Sequence, residues 1–142
     1  MTRVVIDTSV LIRYLIKPSA AIRELIEVRW LSDEIQMVTC PGLLAELKGV
    51  LGRDYIQDLI RPEEGQVLLD AIALKAEALP SLGPVPSYAR DPKDDKFVAC
   101  ALAGEAQYVI TVDRDLLVLE SLGSLLVITP EQFIAMLKGT SA

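Results

Sequence analysis

The chain has 142 residues, 51% of them hydrophobic, and a formal net charge of −6. That length suits one domain, residues 1–142 with a core from about 3 to 138, able to bury about two-thirds of its unfolded surface without disulfides. There is no His, which removes the commonest general base and nitrogen ligand, and the acidic balance excludes a surface that attracts nucleic acid all over.

Val4-Val5-Ile6 reads as a short strand buried on both faces, closed by Asp7 and leading into a helix capped by Thr8 or Ser9 and running from Val10 to Ile16. Pro18 interrupts that helix, and helical spacing resumes from Ser19 to Trp30. Ile35 to Cys40 is a second buried strand, and Pro41 suits the first position of a helix reaching about Arg53. Asp54 to Ile60 is a helical turn or loop. Pro62 to Leu79 reads as the longest helix, with Val67, Leu68, Ala71, Ile72 and Leu74 largely inward. The prolines from Pro80 to Pro86 make a connector within one domain. A helix then starts at Asp91, followed by a strand Tyr108 to Val112, a helix from about Arg114, a strand Leu125 to Ile128 and a helix opened by Thr129-Pro130-Glu131. Repeated βα units predict an α/β fold, a parallel sheet with right-handed crossovers and helices on both faces.

Cys40 and Cys100 lie in apolar surroundings and are expected as buried reduced thiols. No apolar run is long enough to span a membrane, and no signal peptide precedes the first strand, so a soluble cytoplasmic chain is expected.

Most Asp and Glu side chains only solvate a surface, but four here are placed awkwardly for that. Asp7 and Asp113 end buried strands at the presumed carboxyl edge of the sheet, where open α/β sheets hold their ligands. Helix capping by Asp113 or Asp115 is the plainer alternative there. Glu46 lies only about 40° beyond the apolar stripe of its helix at Val50. Asp91 as cap, Pro92 at the first helical position and Asp94 in the first turn make a complete helix start. Asp95 is surplus to it, and lies about 20° from Leu102 at the edge of an apolar stripe. Were Asp7, Glu46, Asp95 and Asp113 to converge, each pair about 4 Å apart would repel by roughly 4 kcal/mol at an effective dielectric of 20. A bound dication offsets this. An all-oxygen set selects Mg²⁺ or Mn²⁺, and the chemistry that suits it is phosphodiester hydrolysis.

Asp7-Thr8-Ser9, Glu46 on an early helix, Asp95 opening Asp-Lys-Phe-Val-Ala-Cys-Ala-Leu, and Thr111-Val112-Asp113-Arg114-Asp115-Leu116 occur in that order. This arrangement resembles the four acidic motifs of PIN-domain nucleases, and is similar to the VapC-type toxins and the related toxin-antitoxin PIN group. The resemblance runs from Val4 to about Ile128. It implies a single three-layer α/β/α domain with a central parallel sheet of roughly four to five strands. It also implies an Mg²⁺- or Mn²⁺-dependent endoribonuclease, often dimeric, whose partners are RNA and a small antitoxin protein. Carried over, Asp7, Glu46, Asp95 and Asp113 would bind metal, and Glu46 or Asp95 would orient or deprotonate water. Asp115 would support them and Ser9 would offer a hydroxyl. Asp91 and Asp94 stand near enough to take the role of Asp95, as Asp115 does for Asp113.

A basic rim of Arg13, Lys93, Lys96 and Arg114, with Arg90 and Lys48 near, is expected to meet phosphates, unless these charges merely offset adjacent carboxylates. With few aromatics, a broad base-stacking platform is not expected. Two other readings remain at this stage: a non-catalytic interaction module of the same fold, and a PIN nuclease acting in RNA processing or on DNA.

Overall fold

The computed structural model describes residues 1–139. Six strands form one sheet in the order β3-β2-β1-β4-β6-β5. They are β1 (Thr2–Ile6), β2 (Ile35–Thr39), β3 (Glu77–Ala78), β4 (Tyr108–Ile110), β5 (Ser121–Leu122) and β6 (Leu125–Ile128). All pairings are parallel except the hairpin of β5 with β6. The helices are α1 (Thr8–Ile16), α2 (Ala20–Arg23), α3 (Pro41–Leu51), α4 (Asp54–Gln57), α5 (Pro62–Lys75), α6 (Asp95–Ala103), α7 (Arg114–Leu117) and α8 (Pro130–Leu137).

Alternation along the central strands builds two cores, one on each sheet face. Val4 and Ile6 of β1 and Ile110 of β4 face a core with Val10, Ile22, Trp30, Leu68, Ile72 and Phe133. Val5 and Val109 face the opposite one, with Phe97, Val98, Cys100, Leu116 and Val127. This is the three-layer α/β/α arrangement expected from the βα repeats, with a sheet larger than the four to five strands anticipated. The additional strands β3 and β5 have two residues each, too short for an alternation pattern to register.

Other departures have local causes. The helix expected to run to Leu79 ends at Lys75, because the backbone at Ala76 turns extended (φ −80°, ψ 147°) and enters β3. In α5 the inward stripe is Gly65, Leu68 and Ile72, spaced three and four residues apart, which turns Val67 and Leu74 outward at 67% and 85% exposure. After Pro18, Ser19 caps α2 through a hydrogen bond from the Ile22 amide. The helix then widens to a π-helix over Glu24–Trp30. Cys40 and Cys100 are buried free thiols, and burial pushes the Cys100 thiol up, aided by neighbouring Cys40. Among the described residues no helix is long and apolar enough to cross a membrane.

Gly104 ends α6 where the chain presses on the sheet. A Cβ there would stand 2.5 Å from Val38 Cγ1 and 3.1 Å from Leu79 Cδ1. Gly104→Ala is therefore expected to destabilise the fold by about 2 kcal/mol, read as a lowered midpoint in urea unfolding.

The chain order matters more for function than the strand count. From β1 the chain moves outward through β2 and β3, then returns to start β4 on the other flank of β1 and continues through β6. The strand order thus reverses between β1 and β4, and the crevice at their carboxyl ends is where an open α/β sheet accommodates a ligand.

Candidate functional site

Ile6 of β1 and Ile110 of β4 lie side by side in register, so the residues that follow them emerge together. Asp7 donates its amide to the Ile110 carbonyl (3.0 Å) and serves as the α1 cap in place of Thr8 or Ser9. Its Oδ2 accepts from Thr111 Oγ1 at 2.6 Å and Ser9 Oγ at 2.8 Å. Thr111 Oγ1 in turn accepts from the Asp113 amide at 2.9 Å. One buried hydroxyl therefore ties the acid after β1 to the acid after β4. Asp113 caps α7 by accepting from the Asp115 amide (2.9 Å).

These groups open into a cleft of about 490 Å³. On α1, Ser9, Ile12 and Arg13 line it, one helical face at three- and four-residue spacing. Glu46 and Val50 come from α3, one turn apart, and Arg53, Tyr55 and Ile56 come from the segment after it. The third wall is Asp91, Lys93, Asp94 and Phe97. Asp7, Glu46 and Asp113, drawn from three distant parts of the chain, thus share one cavity.

Asp94 and Asp95 stand differently from the sequence-based expectation. Asp91 caps a 3₁₀ turn over Pro92–Asp94, accepting from the Lys93 amide, and that turn aims Asp94 into the cleft. Asp94 is 7% exposed, and its Oδ2 is buried with no hydrogen-bond partner. The Asp95 side chain points elsewhere, accepting on Oδ1 from the amides of Tyr88 (2.9 Å) and Ala89 (2.6 Å). Asp95 is absent from the residues lining the cleft. Asp95 does not join the other acids in lining the cleft, because the chain spends Pro92–Asp94 on a 3₁₀ turn and α6 opens at Asp95, three residues later than a helix starting at Pro92.

The electrostatics follow from this crowding. The Asp94 carboxyl is pushed up to about 7, first by burial, then by a proton shared with Asp113 and by the charges of Asp113, Asp7 and Asp91. With both groups ionised nothing donates to Asp94 Oδ2; a proton on Asp94, directed at Asp113, relieves it. Burial also raises Asp7, opposed by the hydrogen bonds from Thr111 and Ser9 and reinforced by the charge of Glu46. Glu46 is held at both oxygens, with Oε2 accepting from Thr8 Oγ1 and Oε1 paired with Lys96 Nζ at 2.8 Å. Lys96 also donates to the Lys93 carbonyl (2.9 Å), so its ammonium is engaged by two protein groups. At the mouth, one carboxylate oxygen from each of Asp91, Asp94 and Asp115 lies within 4.8 Å of the others, and Asp115 pairs with Arg90 at 2.9 Å.

Of the expected rim, Arg13 and Lys93 line the cleft, whereas Arg114 and Lys96 do not. Sequence reading missed Thr111, Arg53 and Tyr55. Thr111 left a faint signal, a hydroxyl at the end of a buried strand two residues before an Asp. The other two left none, since they follow the helix end and nothing in their spacing points to the cleft.

A family model described as PIN domain matches residues 3–115. The chain belongs to the PIN domain family. The match takes in β2, β4, all of β1 but Thr2, and Asp7, Glu46, Asp91, Asp94, Asp95, Asp113 and Asp115. Among solved structures the chain is similar to one described as the crystal structure of VapBC2 from Rickettsia felis bound to a DNA fragment from their promoter. The two share 16% identity and a TM-score of 0.59, over 90% of this chain and 98% of that one. At that identity the likeness speaks for the PIN fold alone. No curated protein matches the sequence.

Proposed function

We propose that this PIN-domain chain is an Mg²⁺- or Mn²⁺-dependent endoribonuclease, the toxin of a toxin-antitoxin pair, with Asp7, Glu46, Asp94 and Asp113 as its metal-holding acids. The observation that carries the reading is the buried Asp94 Oδ2, which lacks any protein donor and stands in the same cleft as the carboxylates of Asp7, Glu46, Asp91 and Asp113. Such a group is costly unless protonated or met by a cation. The donors are all oxygen, which fits a hard dication and disfavours zinc or copper. When bound, the ion supplies charge neutralisation at the phosphate and an activated water.

The chain's own residues do the remainder. Thr111 and Ser9 hold Asp7 in one rotamer, and Lys96 with Thr8 fixes the plane of Glu46, so these acids need little rearrangement on binding. To hold the ion, Glu46 would exchange its Lys96 partner at Oε1 while Thr8 keeps Oε2 in place. Asp91 and Asp115 flank Asp94 at the mouth and support it from outside.

The antitoxin part of the reading draws on likeness to the VapBC2 structure and on an apolar groove away from the acids. Leu15, Ile26, Trp30, Leu68 and the exposed Val67 line that groove, with Glu27, Glu63 and Glu64 at its rim. A homodimer and a cytoplasmic setting belong to the same proposal.

The test is cleavage of matched single-stranded RNA and DNA by the purified chain. Mn²⁺ is expected to support internal cleavage of RNA, EDTA to stop it, and Asp7→Asn to abolish it. Cleavage confined to DNA would overturn the substrate assignment. Tight Mn²⁺ binding with neither substrate cut would favour the interaction module.

A further inference from the structure

The acid floor of the cleft has a wall of different chemistry. Gly52 ends α3, and the short helix α4 follows at once, anchored by Ile56, which is 3% exposed. Tyr55, one residue before that anchor, is thereby turned outward at 57% exposure while still lining the cleft. Its hydroxyl accepts from Arg53 Nη1 at 3.3 Å. Arg53, Arg13 and Lys93 line the same cleft, and none takes part in the ion pairs among the described residues. An exposed aromatic ring tethered to a guanidinium beside carboxylates is a combination a solvated surface does not require. It does fit a nucleotide, with the base on the ring and the adjoining phosphates on the cations.

Resting on the nuclease reading above, we propose that Tyr55 and Arg53 form a base-and-phosphate subsite at the wall of the cleft. Tyr55 stacks one unpaired base next to the cleaved bond, and Arg53, with Arg13, takes the neighbouring phosphates. A duplex keeps its base faces inside the stack and cannot offer one to the ring. A single aromatic suffices, so the scarcity of aromatics in the chain does not argue against it.

The test uses the full chain and an RNA of about ten nucleotides carrying one 2-aminopurine, a size that spans a typical single-strand site. It is titrated in Ca²⁺, and cleavage is measured separately in Mn²⁺. Wild type is expected to quench the 2-aminopurine. Tyr55→Ala should lose the quench, bind about tenfold more weakly and raise KM with kcat little changed. Tyr55→Phe keeps the ring but loses the hydrogen bond from Arg53, so it should keep the quench and bind at most about threefold more weakly, and a matched duplex should compete poorly. The exposure of Tyr55 makes both variants compatible with folding. Wild-type quenching and affinity in Tyr55→Ala, an alanine-like Tyr55→Phe, equal competition by duplex, or no RNA binding by wild type would each overturn the subsite. Tyr55-dependent quenching without any cleavage in Mn²⁺ would uphold the subsite and reject the nuclease.

Discussion

An Asp94→Asn protein is expected to lose at least about a thousandfold in Mn²⁺-dependent cleavage, equivalent to about 4 kcal/mol of transition-state stabilisation, and yet to be more stable than wild type above pH 7 when metal-free. Both effects have one origin. Asp94 is buried, faces Asp113, Asp7 and Asp91, and titrates at about 7 against an ordinary 3.8. A carboxyl raised in the folded state contributes stability that is fully present below about pH 4 and is lost as pH rises through about 7. Above that pH the wild-type apo chain carries an ionised group that the fold disfavours. Asn is isosteric and neutral, so it removes a penalty on the order of 2 kcal/mol, after discounting for water entering the open cleft. Urea unfolding in EDTA at pH 5 and pH 8 measures it: wild type should weaken between the two values and the variant much less. Because Asp94 faces Asp113 and Asp7, the difference between the two proteins reports Asp94 together with its repulsion of those neighbours. An unchanged pH dependence, or undiminished cleavage, would remove Asp94 from the metal site. The same linkage requires Mn²⁺ binding by wild type to release a proton near neutral pH and to weaken in acid.

The layered fold was legible because its central strands are uniformly apolar and bounded by helix caps. Val4 to Ile6 and Leu125 to Ile128 are apolar runs of strand length bounded by helix caps, which suits a sheet covered on both faces. Two-residue strands at Glu77 and Ser121 carry no comparable pattern, and their pairing depends on neighbours far away in the chain. The site divides the same way. Asp7 and Asp113 stand directly after buried strands, so the sheet itself delivers them to the cleft. Glu46 sits on a helix long enough for its angle to the apolar stripe to be calculated. Asp94 and Asp95 could not be separated by such reasoning, because the choice depends on whether the turn from Pro92 is 3₁₀ or α-helical. A change from three residues per turn to 3.6 rotates adjacent side chains past one another. The three carboxylates of this run cap, line and brace, and only the geometry distinguishes those jobs. Tyr55 was invisible for a related reason, since its exposure is set by the burial of Ile56 next to it, a tertiary event.

Asp95→Ala should produce the reverse of the Asp94 result, a folding defect with the metal site retained. The side chain is 7% exposed and accepts two backbone amides, from Tyr88 at 2.9 Å and Ala89 at 2.6 Å. Removing a charged acceptor leaves two amides without it, Ala89 being buried, at a cost of about 3 kcal/mol. For a domain of this length that corresponds to a fall of about 10 °C in Tm. Asp95→Asn retains an acceptor oxygen and should lose roughly half as much. Calorimetric titration with Mn²⁺ at a temperature where the variants remain folded should give affinities within about twofold of wild type, since a ligand's loss typically costs far more than that. The contact has a further consequence for the cleft mouth. Tyr88 and Ala89 lead directly into Arg90, whose guanidinium pairs with Asp115 at 2.9 Å, so freeing the loop loosens the Asp115 side of the mouth. Cleavage should therefore decline modestly through KM, while the affinity for Mn²⁺ holds. If instead Asp95→Ala melted like wild type and failed to bind Mn²⁺, Asp95 would be the ligand and Asp94 the support, reversing their assignment.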